Sequence, residues 1–232
     1  MKYLKVLLFG IFAGLAIGLG SLCFTVITAL MNTDSLKQLG LMVGSAAFSV
    51  GLILVCTLGL QLYTGKIGVV FDDREKLKEN AINLPIMLIG NAIGAFGLGV
   101  ICHFIFMNIP DIQNRIEVIA AGKIVSDTVF MQGILCGALV YIAVYFFKNL
   151  ENYGMKIIGI ITAVTLFVYC GFQHCIANMF YFGMAFNWEV IDVGKMFLNL
   201  FIVIVTNSIG ALLVRCIVHL AAIIKSNKKE QE

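Results

Sequence analysis

The sharpest chemical feature of the chain is His174, set in Gly171-Phe172-Gln173-His174-Cys175-Ile176-Ala177-Asn178 within an uncharged run from 157 to 188. A glutamine, a histidine and an asparagine fall within six residues there. An imidazole exchanges a proton near neutral pH, and amides beside it can hold a small ion or its conjugate acid. A second segment, Leu58-Gly59-Leu60-Gln61-Leu62-Tyr63-Thr64-Gly65-Lys66-Ile67-Gly68, places a hydroxyl and an amide among glycines. A lone histidine in a soluble core is usually a satisfied structural group. In a membrane, polar ionisable groups are costly and mark a path. His103 and His219 lie nearer the ends of their apolar runs and are set aside. On one helix Cys170 and His174 share a face, but Cys175 turns away by about 100°, and neither a carboxylate nor a second histidine joins them. No metal and no cofactor is therefore expected. The apolar runs hold no Ser-His-Asp set and no paired carboxylates, so an enzyme is not expected either.

The elements that must position these residues follow from composition. Of 232 residues, 60% are hydrophobic and only 12% charged, with a mean hydropathy of +0.99. A soluble domain of this size cannot hide so much apolar surface, so the lipid bilayer is its solvent. A net charge of +3, dispersed along the chain, excludes a nucleic-acid partner. Uncharged stretches at 6–33, 38–65, 80–110, 128–147, 157–188 and 196–214 predict an all-α membrane protein with six transmembrane helices. The first is too long for a signal h-region and no clear cleavage site follows it, so it reads as a span. With both termini cytoplasmic, Lys2, Lys5, Lys66, Arg74, Lys76, Lys78, Lys148, Lys156, Arg215, Lys225, Lys228 and Lys229 fall inside. Only Lys37, Arg115, Lys123 and Lys195 fall outside, while acidic residues divide almost evenly. That asymmetry is the positive-inside signature of a plasma (inner) membrane protein, with 225–232 as a solvated cytoplasmic tail. The seven cysteines, without a CxxC, read as reduced, buried packing residues.

An internal repeat organises the spans. Asn91-Ala92-Ile93-Gly94-Ala95 in the third resembles Asn207-Ser208-Ile209-Gly210-Ala211 in the sixth, and Gly10-Ile11-Phe12-Ala13-Gly14 in the first resembles Gly133-Ile134-Leu135-Cys136-Gly137 in the fourth. Two pairs in the same order argue for duplication, with repeats of about 1–110 and 111–224 in a single channel domain over 1–232. Three spans per repeat force the second to insert upside down, an aquaporin-like layout of inverted repeats. The interrupted spans, two and five, hold corresponding places and point to the substrate path. Asn91 and Asn207 read as structural residues at these broken helices. The residues alone leave open an aquaporin-like pore for small neutral solutes and a non-conducting membrane scaffold subunit.

Gly171 through Phe180 resembles the fifth-helix signature of the formate/nitrite transporter family. Leu62-Tyr63-Thr64-Gly65 resembles its second-helix loop, and Gly133 to Cys136 with Leu139-Val140 and Ala143-Val144 its fourth-helix signature. Gly90-Asn91 and Asn207 to Gly210 fit its third and sixth helices, so the likeness runs over nearly the whole chain. The resemblance implies a homopentamer, each protomer with its own pore for small monovalent weak-acid anions (formate, nitrite or hydrosulfide), passing by transient protonation near the central histidine. That histidine maps to His174, with Thr64 facing it and Gln173 and Asn178 in the same pathway. The constriction maps to Phe48, Leu52, Tyr63, Val140 and Phe167, and the vestibule lysines to Lys5 and Lys123. Three departures stand out: Gln173 replaces the family's glutamate before the histidine, Gly137 replaces an asparagine, and Lys123 lies slightly closer to Gly133 than the second vestibule lysine usually does. The first removes a negative charge beside the path.

Overall fold

The computed structural model describes residues 1–71, 75–124, 127–186 and 192–229, and the side chains within these up to 224. The predicted loop charges Asp72 to Arg74 and the last tail residues 230–232 lie outside the described residues. Regular structure among the described residues is entirely helical: α1 (Lys2–Leu30), α2 (Lys37–Thr57), α3 (Tyr63–Lys66) with a 3-10 turn at Ile67–Val69, α4 (Leu77–Phe106), α5 (Pro110–Ile124), α6 (Val129–Asn149), α7 (Tyr153–Tyr169), α8 (Cys175–Met184) and α9 (Val193–Lys229).

Five helices, α1, α2, α4, α6 and α9, are long and apolar enough to cross a membrane. The predicted second span stops at Thr57 and restarts at Tyr63, and the fifth is a tandem of two short apolar helices, α7 and α8. The expectation of buried cysteines needs correction, and two elements go beyond the predicted spans. The loop after the third span contains α5, with Pro110 at its first position and Ile112, Ile116 and Ala120 buried one turn apart. The tail at 225–232 is helical as far as Lys229. Of the cysteines, all free, only Cys102, Cys136 and Cys175 are buried, while Cys170 and Cys216 are exposed.

Large side chains such as Phe12, Ile89, Ile93, Phe104, Phe201 and Leu213 are exposed on the outside of the bundle. In lipid this is their favourable position, so the chain is a multi-pass membrane protein. Several hydroxyl groups inside the spans bond to their own helix. Ser21, Thr25 and Thr28 each donate to the carbonyl four residues back, at 3.0, 2.9 and 2.8 Å.

Packing follows one scheme in each half. α1 packs on α2 and α4, as α6 packs on α7 and α9, while α2 against α7 and α4 against α8 join the halves. Glycine sets the close contacts. A Cβ on Gly14 would be driven into the carbonyl of Asn91, and a Cβ on Gly137 into that of Asn207. Position 137 thus requires glycine in this chain, because α6 and α9 meet backbone to backbone there. Gly137→Ala is expected to lower stability by about 1–3 kcal/mol. Thermal unfolding of detergent-solubilised protein should show it as a lower midpoint than for Gly122→Ala, whose Cβ meets open space.

Candidate functional site

Both helix breaks are built alike. Gly59 and Gly171 adopt left-handed backbone, with φ of 64° and 70°. Leu60 N–H donates to Val55 O at 2.9 Å and Phe172 N–H to Phe167 O at 2.9 Å, closing each preceding helix with the same six-residue reverse loop. Each break then meets one buried asparagine. Asn91 Oδ1 accepts from Tyr63 N–H at 2.8 Å, and its Nδ2 donates to Gly10 O and Gln61 O, both at 2.8 Å. Asn207 Oδ1 accepts from Cys175 N–H at 3.0 Å, and its Nδ2 donates to Gly133 O at 2.9 Å and Gln173 O at 2.8 Å. The asparagines stitch unwound backbone to α1 and α6, where Gly14 and Gly137 admit them.

The breaks bring together the N-terminal ends of α3 and α8. His174 is the N-cap of α8, and Thr64 lies in the first turn of α3. His174 Nε2 and Thr64 Oγ1 are 3.1 Å apart, and both side chains are buried. Ala177 N–H donates to His174 Nδ1 at 3.2 Å. Nδ1 is therefore an acceptor, so the neutral ring carries its proton on Nε2 and donates it to Thr64 Oγ1. Protonating Nδ1 would break the cap of α8.

On one side of this pair lies a cavity of about 270 Å³ whose lining includes Phe48, Arg115, Lys123, Phe167, Gln173, His174 and Asn178. The Phe48 and Phe167 rings meet edge to face at 5.8 Å, and Phe167 stacks on His174 at 5.9 Å. On the other side lies a cavity of about 160 Å³ lined by Val55, Leu62, Gly65, Lys66, Val144 and Lys148, among others. Leu52, Thr64 and Val140 line neither cavity and are buried. The Tyr63 hydroxyl turns to Ser208 Oγ at 2.9 Å. Ser208 already donates to Ile204 O at 2.7 Å, so Tyr63 is the donor of that pair. Lys5 is not part of this group. It lines a separate cavity of about 490 Å³ with Lys2, Lys66, Glu79 and Asn83, its ammonium 5.6 Å from the Phe9 ring centroid. In that cavity Lys2 pairs with Glu79.

A chain of amides fixes the floor of the 270 Å³ cavity. The carbonyl of Lys123 can only accept, so Asn199 donates Nδ2 to it, at 2.7 Å. That turns Asn199 Oδ1 toward Asn178, whose Nδ2 donates to it at 3.0 Å and to Gln173 Oε1 at 2.7 Å. Asn178 Oδ1 is left buried without a partner. The sequence reading missed Asn199 and Arg115. Asn199 is one polar residue in a long apolar helix, and Arg115 became visible only with α5, whose start was signalled by Pro110.

Lys123 donates its ammonium to Gly171 O at 3.1 Å and Phe172 O at 3.2 Å, capping the carbonyls that the break leaves open. It belongs to α5, outside the spans, and burial pushes its ammonium down from 10.5 to about 8. Between these values the unfolded chain holds more protons than the folded one, so stability rises with pH through that window and is lower below about 8. Raising the pH from 8 to 10 is therefore expected to raise the wild-type melting midpoint relative to that of Lys123→Met. Parallel pH profiles for the two proteins in detergent would mean that the lysine titrates normally.

Residues 1–221 match the family described as formate/nitrite transporter. The uncharacterized transporter YrhG of Bacillus subtilis is 32% identical over 209 residues, covering 84% of this chain and 76% of that protein. A probable formate transporter of Methanothermobacter thermautotrophicus is 28% identical over 239 residues, covering 92% and 87%. Among solved structures, a pentameric formate channel with formate bound superposes with a TM-score of 0.74 at 25% identity, covering 97% of this chain and 95% of that one. An FNT family ion channel superposes with a TM-score of 0.76 at 21% identity, covering 95% and 89%, which speaks to the fold. The chain is a member of the formate/nitrite transporter family.

Proposed function

We propose that the chain is a channel for small monovalent weak-acid anions (formate, nitrite or hydrosulfide), which cross near His174 as, or close to, the neutral acid. The observation that carries this reading is the buried His174–Thr64 pair at 3.1 Å, set behind the Phe48–Phe167 ring contact and between two cavities. A bare anion entering an apolar throat loses hydration worth many kcal/mol. Falling dielectric raises the pKa of a weak acid, so it can take a proton from water and shed its charge. The passing acid meets Phe48, Phe167, Leu52 and Val140 as the constriction, with Tyr63 beside Thr64. His174, with Nδ1 occupied by the α8 cap, acts as a hydrogen-bond donor through Nε2 and Thr64. The unpartnered Oδ1 of Asn178 accepts the hydroxyl of the neutral acid, and Gln173 leaves the path without a fixed negative charge. Lys123 and Lys5 lie at opposite ends of the molecule and raise the local anion concentration.

In this reading α7 and α8 together make the fifth crossing, which brings the five long helices to six crossings. The halves at about 1–110 and 111–224 are inverted repeats in the aquaporin-like manner, and the matched breaks and asparagines support that. The Lys and Arg asymmetry supports cytoplasmic termini, with the chain in the plasma membrane. The pentameric state of the similar formate channel supports a homopentamer with one path per subunit.

Proteoliposome flux with internal pH recording tests the proposal. At least one of formate, nitrite and hydrosulfide is expected to pass about tenfold or more faster than chloride, accelerating at lower pH. His174→Ala is expected to slow it by about tenfold or more, or roughly 1.4 kcal/mol of barrier. Chloride flux equal to formate flux, or full activity in His174→Ala, would overturn the reading.

A further inference from the structure

The 270 Å³ cavity carries two cations, Arg115 and Lys123, and among the described residues no carboxylate lines it. The two are not equivalent. Lys123 is committed to the carbonyls of Gly171 and Phe172. Arg115 is held by α1 at one edge only. Its Nε donates to Thr28 Oγ1 at 2.9 Å, and Thr28, already donating to Phe24 O at 2.8 Å, can only accept there. The Phe24 ring lies 5.9 Å from the guanidinium carbon. Two side chains one helical turn apart thus orient the group and leave its terminal nitrogens uncommitted. Among the described residues no acidic side chain compensates it: Asp111, one turn earlier, is exposed, and Glu117 lines a separate cavity with His103. A half-buried guanidinium beside phenylalanines, without a counter-charge, is unfavourable unless a ligand supplies one.

We propose that Arg115 is the anion-docking residue of this cavity, and that its oriented fork favours planar anions with two oxygens, of the formate and nitrite type, over monatomic or sulfur anions. Two parallel N–H groups match two oxygens of one planar anion, whereas chloride or hydrosulfide meets only a point charge. Asn178, whose Oδ1 is buried without a partner, lines the same cavity as His174. The cavity therefore offers donors to an arriving anion at Arg115 and an acceptor to the protonated acid at Asn178. The family's glutamate at position 173 would put a negative charge opposite this arginine, which Gln173 avoids. The proposal rests on the anion-channel reading above and assigns its entry step.

Arg115→Lys separates fork from charge. In proteoliposomes, its half-saturating concentrations for formate and nitrite are expected to rise about tenfold with maximal rates held, while hydrosulfide flux keeps its wild-type concentration dependence. Arg115→Gln should weaken all three. Calorimetric titration of sodium formate, nitrite and chloride into solubilised protein reads the same preference without transport. Wild type should bind the two oxyanions better than chloride, and Arg115→Lys should lose that preference at an unchanged melting midpoint. Equal formate parameters in wild type and Arg115→Lys, or an equal loss for hydrosulfide, would overturn the fork. A wild type that conducts no anion yet binds formate through Arg115 would sink the channel reading and leave the docking site standing.

Discussion

Unwound backbone in hydrocarbon has no water to satisfy it, and that single constraint shapes this molecule. Each break exposes amide groups that would cost several kcal/mol if left alone. Asn91 and Asn207 answer with three hydrogen bonds apiece, all between 2.8 and 3.0 Å. The rest follows in sequence. To reach Gly10 O and Gly133 O, α4 and α9 must lie directly against α1 and α6, so positions 14 and 137 have no room for a side chain. To turn back within two residues, each break needs left-handed backbone, met by Gly59 and Gly171. His174 and Thr64 face one another because the breaks are held at matching depths, one in each half.

The electrostatics rest on the same scaffold. Carbonyls released at the second break draw the Lys123 ammonium onto Gly171 and Phe172, so that lysine is as much a structural cap as a source of positive field. The carbonyl of Lys123 in turn polarises Asn199, Asn178 and Gln173 in a fixed direction. The histidine is constrained in the same way. An imidazole that caps α8 through Nδ1 is a poor proton reservoir, since taking a second proton would uncap the helix. The group it turns to Thr64 is the Nε2–H, at 3.1 Å.

Much of this was legible in the sequence, for physical reasons that can be named. Glycines around a polar residue inside an apolar run mark a helix that cannot continue, which located both breaks. A buried asparagine repeated in the same local context marked the two stitches. The constriction assigned to positions 48, 52, 140 and 167 rests on family likeness alone, because apolar residues in a membrane protein carry no pattern that separates a constriction from ordinary packing. The amphipathic α5 was hidden by its charges, and with it Arg115, since a short polar segment between spans looks like a loop unless Pro110 and the one-turn spacing of Ile112, Ile116 and Ala120 are weighed. Asn199 was hidden because its partners, Lys123 and Asn178, are distant in the chain.

Gln173 shows how a departure from family pattern separates field from fold. Its Oε1 only accepts, from Asn178 Nδ2, and a carboxylate oxygen would do the same in the same place. Its backbone carbonyl, not its side chain, meets Asn207. Nothing in the break therefore requires an amide at 173. What the amide changes is charge: a carboxylate there would stand in a cavity with Arg115 and Lys123 and offset part of their field. Position 61 occupies the matching place in the first break and is also glutamine, with its carbonyl bound by Asn91 in the same way. Both breaks thus keep their backbone stitches while presenting neutral side chains, so the positive character of this cavity is set by α5 and left unopposed by the break.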